Sequence, residues 1–304
     1  MKKVFAVLFA VILLGTVPAE AENGFLIVTP GGAPAMALAG IYAEDHESVQ
    51  TVGADTIGEA LGSAEADFII APVNAGAKLF KAGKSSYRLA AVVTWGNLVF
   101  ASRIEGFTPD MISGRKLILF GENTINASVA LYVLEEKGIV PSAVEYLAGA
   151  AETQAILLNG DDPEVIVLTA EPAVTGAMIA DESIVSCPLN DLYSEVTGYE
   201  GFTQAGLFVR EQTVQENPEL VKEGLEKIRT SAEMCSKDPE TAAANAVAME
   251  IVKAEKVALK ALPGCNIRYM DAADAREQIE KTAMIDLGQF GGALPADEFY
   301  YTAD

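Results

Sequence analysis

Short apolar runs closed by Gly, Pro, Asn or Ser alternate along this chain with stretches whose apolar positions recur every three to four residues. Runs at 25–28, 48–52, 67–71, 87–94, 98–102, 116–120, 144–147, 165–168, 184–187 and 202–209 read as strands. Several are apolar at nearly every position, as in strands buried on both faces of a parallel sheet. Segments 35–42, 56–64, 75–81, 125–137, 152–158 and 172–180 read as helices. Pro34 suits a first helical position, Asp55 and Asn74 suit N-caps, and Gly138 suits the residue that closes a helix. From Asn217 onward the pattern is nearly all helix, over 218–236, 239–251 and 271–287. No period of 20–50 residues repeats. Strands alternating with helices predict an α/β fold.

One interruption organises the rest. Trp95-Gly96-Asn97 separates two apolar strands, and each half of the chain contains strands that run straight into polar helix starts. That layout predicts two lobes, each a sheet flanked by helices, with a cleft between them and a segment that crosses over. A composition break at Phe107-Thr108-Pro109-Asp110 and Ser113-Gly114 sets the expected division. Lobe one is read as 24–103 plus 205–304, and lobe two as 104–204.

The N-terminus modifies this picture. Lys2 and Lys3 precede an apolar stretch over 4–15, and Ala19-Glu20-Ala21 offers a small-residue cleavage site. The stretch is too short for a bilayer, which needs about 20 residues. A signal peptide over 1–21, cleaved after Ala21, is therefore expected, with an exported, periplasmic or extracellular product. No cysteine near the site supplies a lipid anchor. The remaining chain suffices for two medium lobes, and 50% apolar content provides ample core. The formal charge of −22 repels nucleic acid and anionic lipid, so neither is expected as a partner.

Catalytic and metal chemistry find little support. Cys187, Cys235 and Cys265 are odd in number and lack zinc-site spacing, so no metal is expected. Cys235 and Cys265 either pair, leaving Cys187 free, or all three are buried thiols. His46, the only histidine, lies in the charged segment Glu44-Asp45-His46-Glu47-Ser48 and reads as a surface residue.

Three segments resemble the type 2 periplasmic binding proteins: Val28-Thr29-Pro30-Gly31-Gly32-Ala33-Pro34, Phe68-Ile69-Ile70-Ala71-Pro72-Val73-Asn74-Ala75-Gly76-Ala77-Lys78 and Leu119-Phe120-Gly121-Glu122-Asn123-Thr124. So do Gln204-Ala205-Gly206-Leu207-Phe208-Val209 and the helix start Asn217-Pro218-Glu219-Leu220-Val221. Within that group the chain is similar to the nitrate, sulfonate, taurine and thiamine-precursor receptors of ABC importers. The resemblance implies a two-lobed α/β fold of that type, two crossovers, and hinge closure on a small molecule that is passed to an ABC permease. It implies no enzyme activity and no cofactor, and a monomer is expected. Two alternatives stay open: a ligand-sensing subunit for a membrane signalling protein, and a thiamine-pyrimidine-synthase-like enzyme. The second is disfavoured because the resemblance implies such enzymes need histidine as substrate and a lysine for pyridoxal phosphate.

Ligands of open α/β sheets sit beyond the carboxyl ends of the strands, where helix N–H groups are unpaired. Gly31 and Gly32 either permit close approach of a ligand or form a plain tight turn. Asn74 is a helix cap that can also touch ligand. In the second lobe, Glu122, Asn123 and Thr124 follow one strand, and Thr169 and Glu171 close another. Trp95 is either core or a stacking face for a planar ligand, and Thr94, Asn97 and Gln204 stand at the crossovers. None of these strand ends carries Lys or Arg. Glu122 and Glu171 serve either the helix dipole or a neutral or cationic solute, heteroaromatic ones included.

Overall fold

The apolar runs sort into two sheets. The structure, a computed structural model, describes residues 24–302. The expected signal peptide lies outside the described residues. The chain enters the first sheet with β1 (Ile27–Pro30), β2 (Val49–Val52), β3 (Phe68–Pro72) and β4 (Tyr87–Thr94). It then crosses over and builds the second sheet from β5 (Leu98–Ser102), β6 (Lys116–Phe120), β7 (Ala143–Leu147), β8 (Ile166–Ala170) and β9 (Val185–Pro188). It returns through residues 201–204 to complete the first sheet with β10 (Ala205–Arg210) and β11 (Ile267–Asp271). The sheet orders are β11-β4-β10-β3-β1-β2 and β7-β6-β8-β5-β9.

Burial explains the apolar runs. Every residue of β1, β5 and β8 is buried, because helices cover both faces. The edge strand β2 exposes Gln50 and Thr51. β1 pairs in parallel with β2 and β3, whereas β10 runs antiparallel between β3 and β4. The apolar core continues through the crossovers: Trp95, Tyr193 and Phe202 belong to the same buried cluster as Leu89 of the first sheet and Phe100 of the second.

Several expectations need correction. The sheets part at Trp95-Gly96-Asn97, so β5 belongs with the second sheet, which moves the expected boundary back from 103/104. The turn residues over 107–114 mislead because they surround only a short 3-10 helix, Pro109–Ile112. The C-terminal region is not all helix. β11 pairs antiparallel with β4, and its mixture of Ile267, Arg268, Tyr269, Met270 and Asp271 hides a half-buried edge strand. Helices Leu189–Thr197 and Glu255–Ala261 add to those the sequence pattern predicts. Asn74 is not a cap: the helix Val73–Lys81 starts two residues earlier than expected, after Pro72, with no side-chain cap. Asn217 does cap Pro218–Lys237, accepting from the Leu220 amide at 3.3 Å. The three cysteines are free thiols.

Candidate functional site

Residues beyond the strand ends of the two sheets meet in a network of carboxamides. Gln204, in the second crossover, donates from Nε2 to Asn97 Oδ1 at 2.9 Å and to Asn126 Oδ1 at 3.2 Å. Asn97 donates from Nδ2 to the Glu171 carbonyl at 2.8 Å, and its own carbonyl accepts from the Glu171 amide at 2.9 Å. Gln204 also fixes the first-sheet side, since its carbonyl accepts from Val73 N at 3.0 Å. This contact starts the helix that carries Asn74. Thr94 Oγ1 accepts from the Ala205 amide at 3.0 Å. Sequence reasoning therefore selected Thr94, Asn97, Gln204 and Glu171 from one connected cluster.

Asn74 stands apart within it. The residue is 9% exposed, and its Oδ1 is buried with no hydrogen-bond partner among the described residues. Leaving such an acceptor unpaired costs about 1–3 kcal/mol, so the position is suited to a donor from outside the chain. Glu171 is a second acceptor. Its carboxylate accepts from the Thr175 hydroxyl at 2.9 Å and the Thr175 amide at 3.3 Å. Burial raises its carboxyl above the ordinary carboxylate range, opposed by those two bonds. No ion pair joins it to a basic side chain among the described residues.

The other candidates fall into distinct settings. Gly32 has φ 84°, a left-handed conformation that glycine alone adopts readily, and Gly31 is exposed beside it. Thr124 caps helix Ile125–Glu136, accepting from Ala127 N at 3.5 Å and donating to the Gly121 carbonyl at 2.6 Å. Glu122 and Asn123 are exposed on that loop. Thr169 is fully buried inside β8 and donates to the Ala150 carbonyl at 3.5 Å. Trp95 is 2% exposed and donates from Nε1 to the Arg268 carbonyl at 2.8 Å. The Arg268 guanidinium covers its ring at 4.5 Å.

Two features escaped the sequence. Asn126 lies in the first turn of a mostly apolar helix, a polar intrusion that could have marked it. Contacts between the lobes had no local signal. Ser128 donates to Asp286 Oδ2 at 2.8 Å across 158 residues of chain. A Cβ built on Gly264 would lie 3.0 Å from Glu171 Cγ. The lone His46 is exposed next to Glu47, at the start of β2 and so at the opposite end of the sheet from the strand ends described above. Among the described residues no group of three His, Cys, Asp or Glu is placed to hold a metal ion.

The whole architecture is shared with solved structures. An ABC transporter from Parabacteroides distasonis aligns with a TM-score of 0.77 at 20% identity, covering 92% of this chain and 99% of that one. The alkanesulfonate-binding protein SsuA from Xanthomonas axonopodis pv. citri, bound to MOPS, aligns with a TM-score of 0.65 at 12% identity, covering 91% and 98%. A Candida albicans gene product with the generic periplasmic binding protein fold aligns with a TM-score of 0.57 at 9% identity, covering 92% and 98%. These likenesses establish the periplasmic-binding-protein fold. No curated protein sequence matches the chain significantly. The sequence profile described as NMT1/THI5 like matches residues 88–242, which include both crossovers and the entire second sheet, and the chain belongs to that family.

Proposed function

We propose that this protein is the exported solute-binding receptor of an ABC importer. It closes about its two crossovers on a small neutral or cationic solute and delivers it to a membrane permease. The fold is that of proteins described as an ABC transporter and as an alkanesulfonate-binding protein, which supports the receptor reading. The preference for a donating group on the ligand rests chiefly on Asn74, whose buried carboxamide oxygen has no partner among the described residues. Glu171 adds a half-buried carboxylate with no basic partner among the described residues, and Glu122 a further negative charge on the facing loop. A sulfonate or nitrate would meet acceptors at these positions instead of donors. Heteroaromatic amines match them.

Native mass spectrometry of the purified protein, followed by extraction of whatever co-purifies, tests the reading. A small amine or neutral heteroaromatic recovered unchanged after incubation is the expected result. Chemical conversion of the bound solute overturns the receptor assignment. Tight binding of taurine or nitrate in a thermal-shift screen overturns the charge argument alone.

A further inference from the structure

A cavity of about 480 Å³ lies along the outer side of β11, next to the first crossover and apart from the carboxamide network. Trp95, Leu259, Leu262 and Pro263 supply apolar wall, and Arg268 and Glu200 supply charge. The volume falls within the range of roughly 300–1,000 Å³ that small-molecule sites occupy. The wall is anchored. Trp95 is held through Nε1 by the Arg268 carbonyl, and the Arg268 guanidinium lies 4.5 Å over the indole. Leu259 remains 39% exposed, a large apolar side chain that the fold itself leaves uncovered.

The charged groups define what fits. Arg268 Nη1 donates to Glu200 Oε2 at 3.1 Å, with the two side chains 42% and 86% exposed. An ion pair this open to water adds little to stability, so opening it costs little. A purely anionic ligand would face Glu200 and the field of a chain with formal charge −22, and a purely cationic one would face Arg268. A ligand carrying both charges replaces the pair with two of its own and brings no net charge. The guanidinium presents a fixed fork suited to a carboxylate.

We propose that this cavity is a second small-molecule site, which takes a zwitterionic α-amino acid with a large apolar side chain. The carboxylate pairs with Arg268, the ammonium with Glu200, and the side chain covers Leu259 beside Trp95. Trp95 lies in the first crossover and Glu200 directly precedes the second, so an occupant rests on both connections between the sheets. The proposal stands independently of the reading given to the Asn74 cleft.

Isothermal titration of the protein with L-phenylalanine tests it, with emission from Trp95, the only tryptophan, followed in parallel. Saturable binding with a change in Trp95 emission is expected. Arg268→Gln and Glu200→Gln, both at exposed positions, should each weaken binding about two- to fivefold while circular dichroism stays unchanged. The singly charged analogues 3-phenylpropionate and 2-phenylethylamine should each bind about two- to fivefold more weakly than the amino acid. Asn74→Ala should leave L-phenylalanine affinity intact. The proposal is overturned by no saturable binding to the wild type, by binding indifferent to both charge variants, or by equal affinity for either analogue. Loss of binding in Asn74→Ala overturns it as well, because the amino acid would then occupy the cleft.

Discussion

Burial holds the Glu171 carboxyl above its ordinary value of 4.5, while hydrogen bonds from Thr175 pull the other way. A carboxyl whose folded pKa exceeds its unfolded one keeps its proton longer in the fold. Its contribution to stability is therefore greatest at low pH and falls as pH rises from 4.5 through the raised value. Ligand-free wild type should thus lose melting temperature relative to Glu171→Gln as pH rises through that window, measured by thermal unfolding of both proteins across the same buffers. A difference that stays constant with pH would show that the carboxylate is not disfavoured by burial. Toward a cationic solute the charged carboxylate is favourable. Glu171→Gln removes a charged hydrogen bond worth about 1.5–3 kcal/mol, roughly tenfold to more than a hundredfold in affinity. Asn74→Ala separates binding from folding more cleanly. Its oxygen has no partner among the described residues, so the variant should unfold within about 1 kcal/mol of wild type yet bind the solute at least about tenfold more weakly. Equal losses in both measurements would make Asn74 a structural residue.

The two crossovers are built to tight tolerances. The Gly96 carbonyl accepts from Asn190 Nδ2 at 2.9 Å and from Asn266 Nδ2 at 2.6 Å, one carboxamide from each lobe. Asn190 also donates to the Trp95 carbonyl at 2.8 Å. Gly96 has φ 77°, and a Cβ there would approach Asn190 Oδ1 and Phe202 Cε1 to 2.5 Å. A Cβ on Gly201 would approach the Trp95 carbonyl oxygen to 2.3 Å. Gly96→Ala should therefore cost at least about 2 kcal/mol in denaturant unfolding, from left-handed strain and overpacking together. Gly201→Ala should cost about 1–3 kcal/mol from overpacking alone. Wild-type stability in both variants would mean that the crossovers repack freely. Trp95-Gly96-Asn97 was legible as a crossover because a glycine interrupts two predominantly apolar strands. The lobe boundary was misplaced because Thr108-Pro109-Asp110 and Ser113-Gly114 give a stronger local signal than three residues between strands. β11 was illegible for another reason. It is five residues long, half exposed at a sheet edge, and its pairing with β4 shifts register between Ile267 and Met270, so no period-2 alternation survives.

The two lobes touch through contacts that no sequence pattern announces. Ser128 reaches Asp286, and the chain around Gly264 packs on Glu171. Val257, from the helix Glu255–Ala261, lies next to Gly176 in the helix Ala173–Ala180. What the sequence conveyed was the chemistry of strand ends, through Asn74, Asn97, Glu171 and Gln204. It could not convey which of these would be satisfied within the chain, because the partners Asn126 and Thr175 are set by tertiary packing. Only a ligand that binds the closed arrangement better can shift a hinge equilibrium. Small-angle scattering with and without the solute recovered from the purified protein is the most direct measurement. The ligand-free protein should be more extended than the structure described above, and saturating solute should compact it toward that structure and raise its melting temperature. An identical scattering profile in both states would contradict closure on a solute.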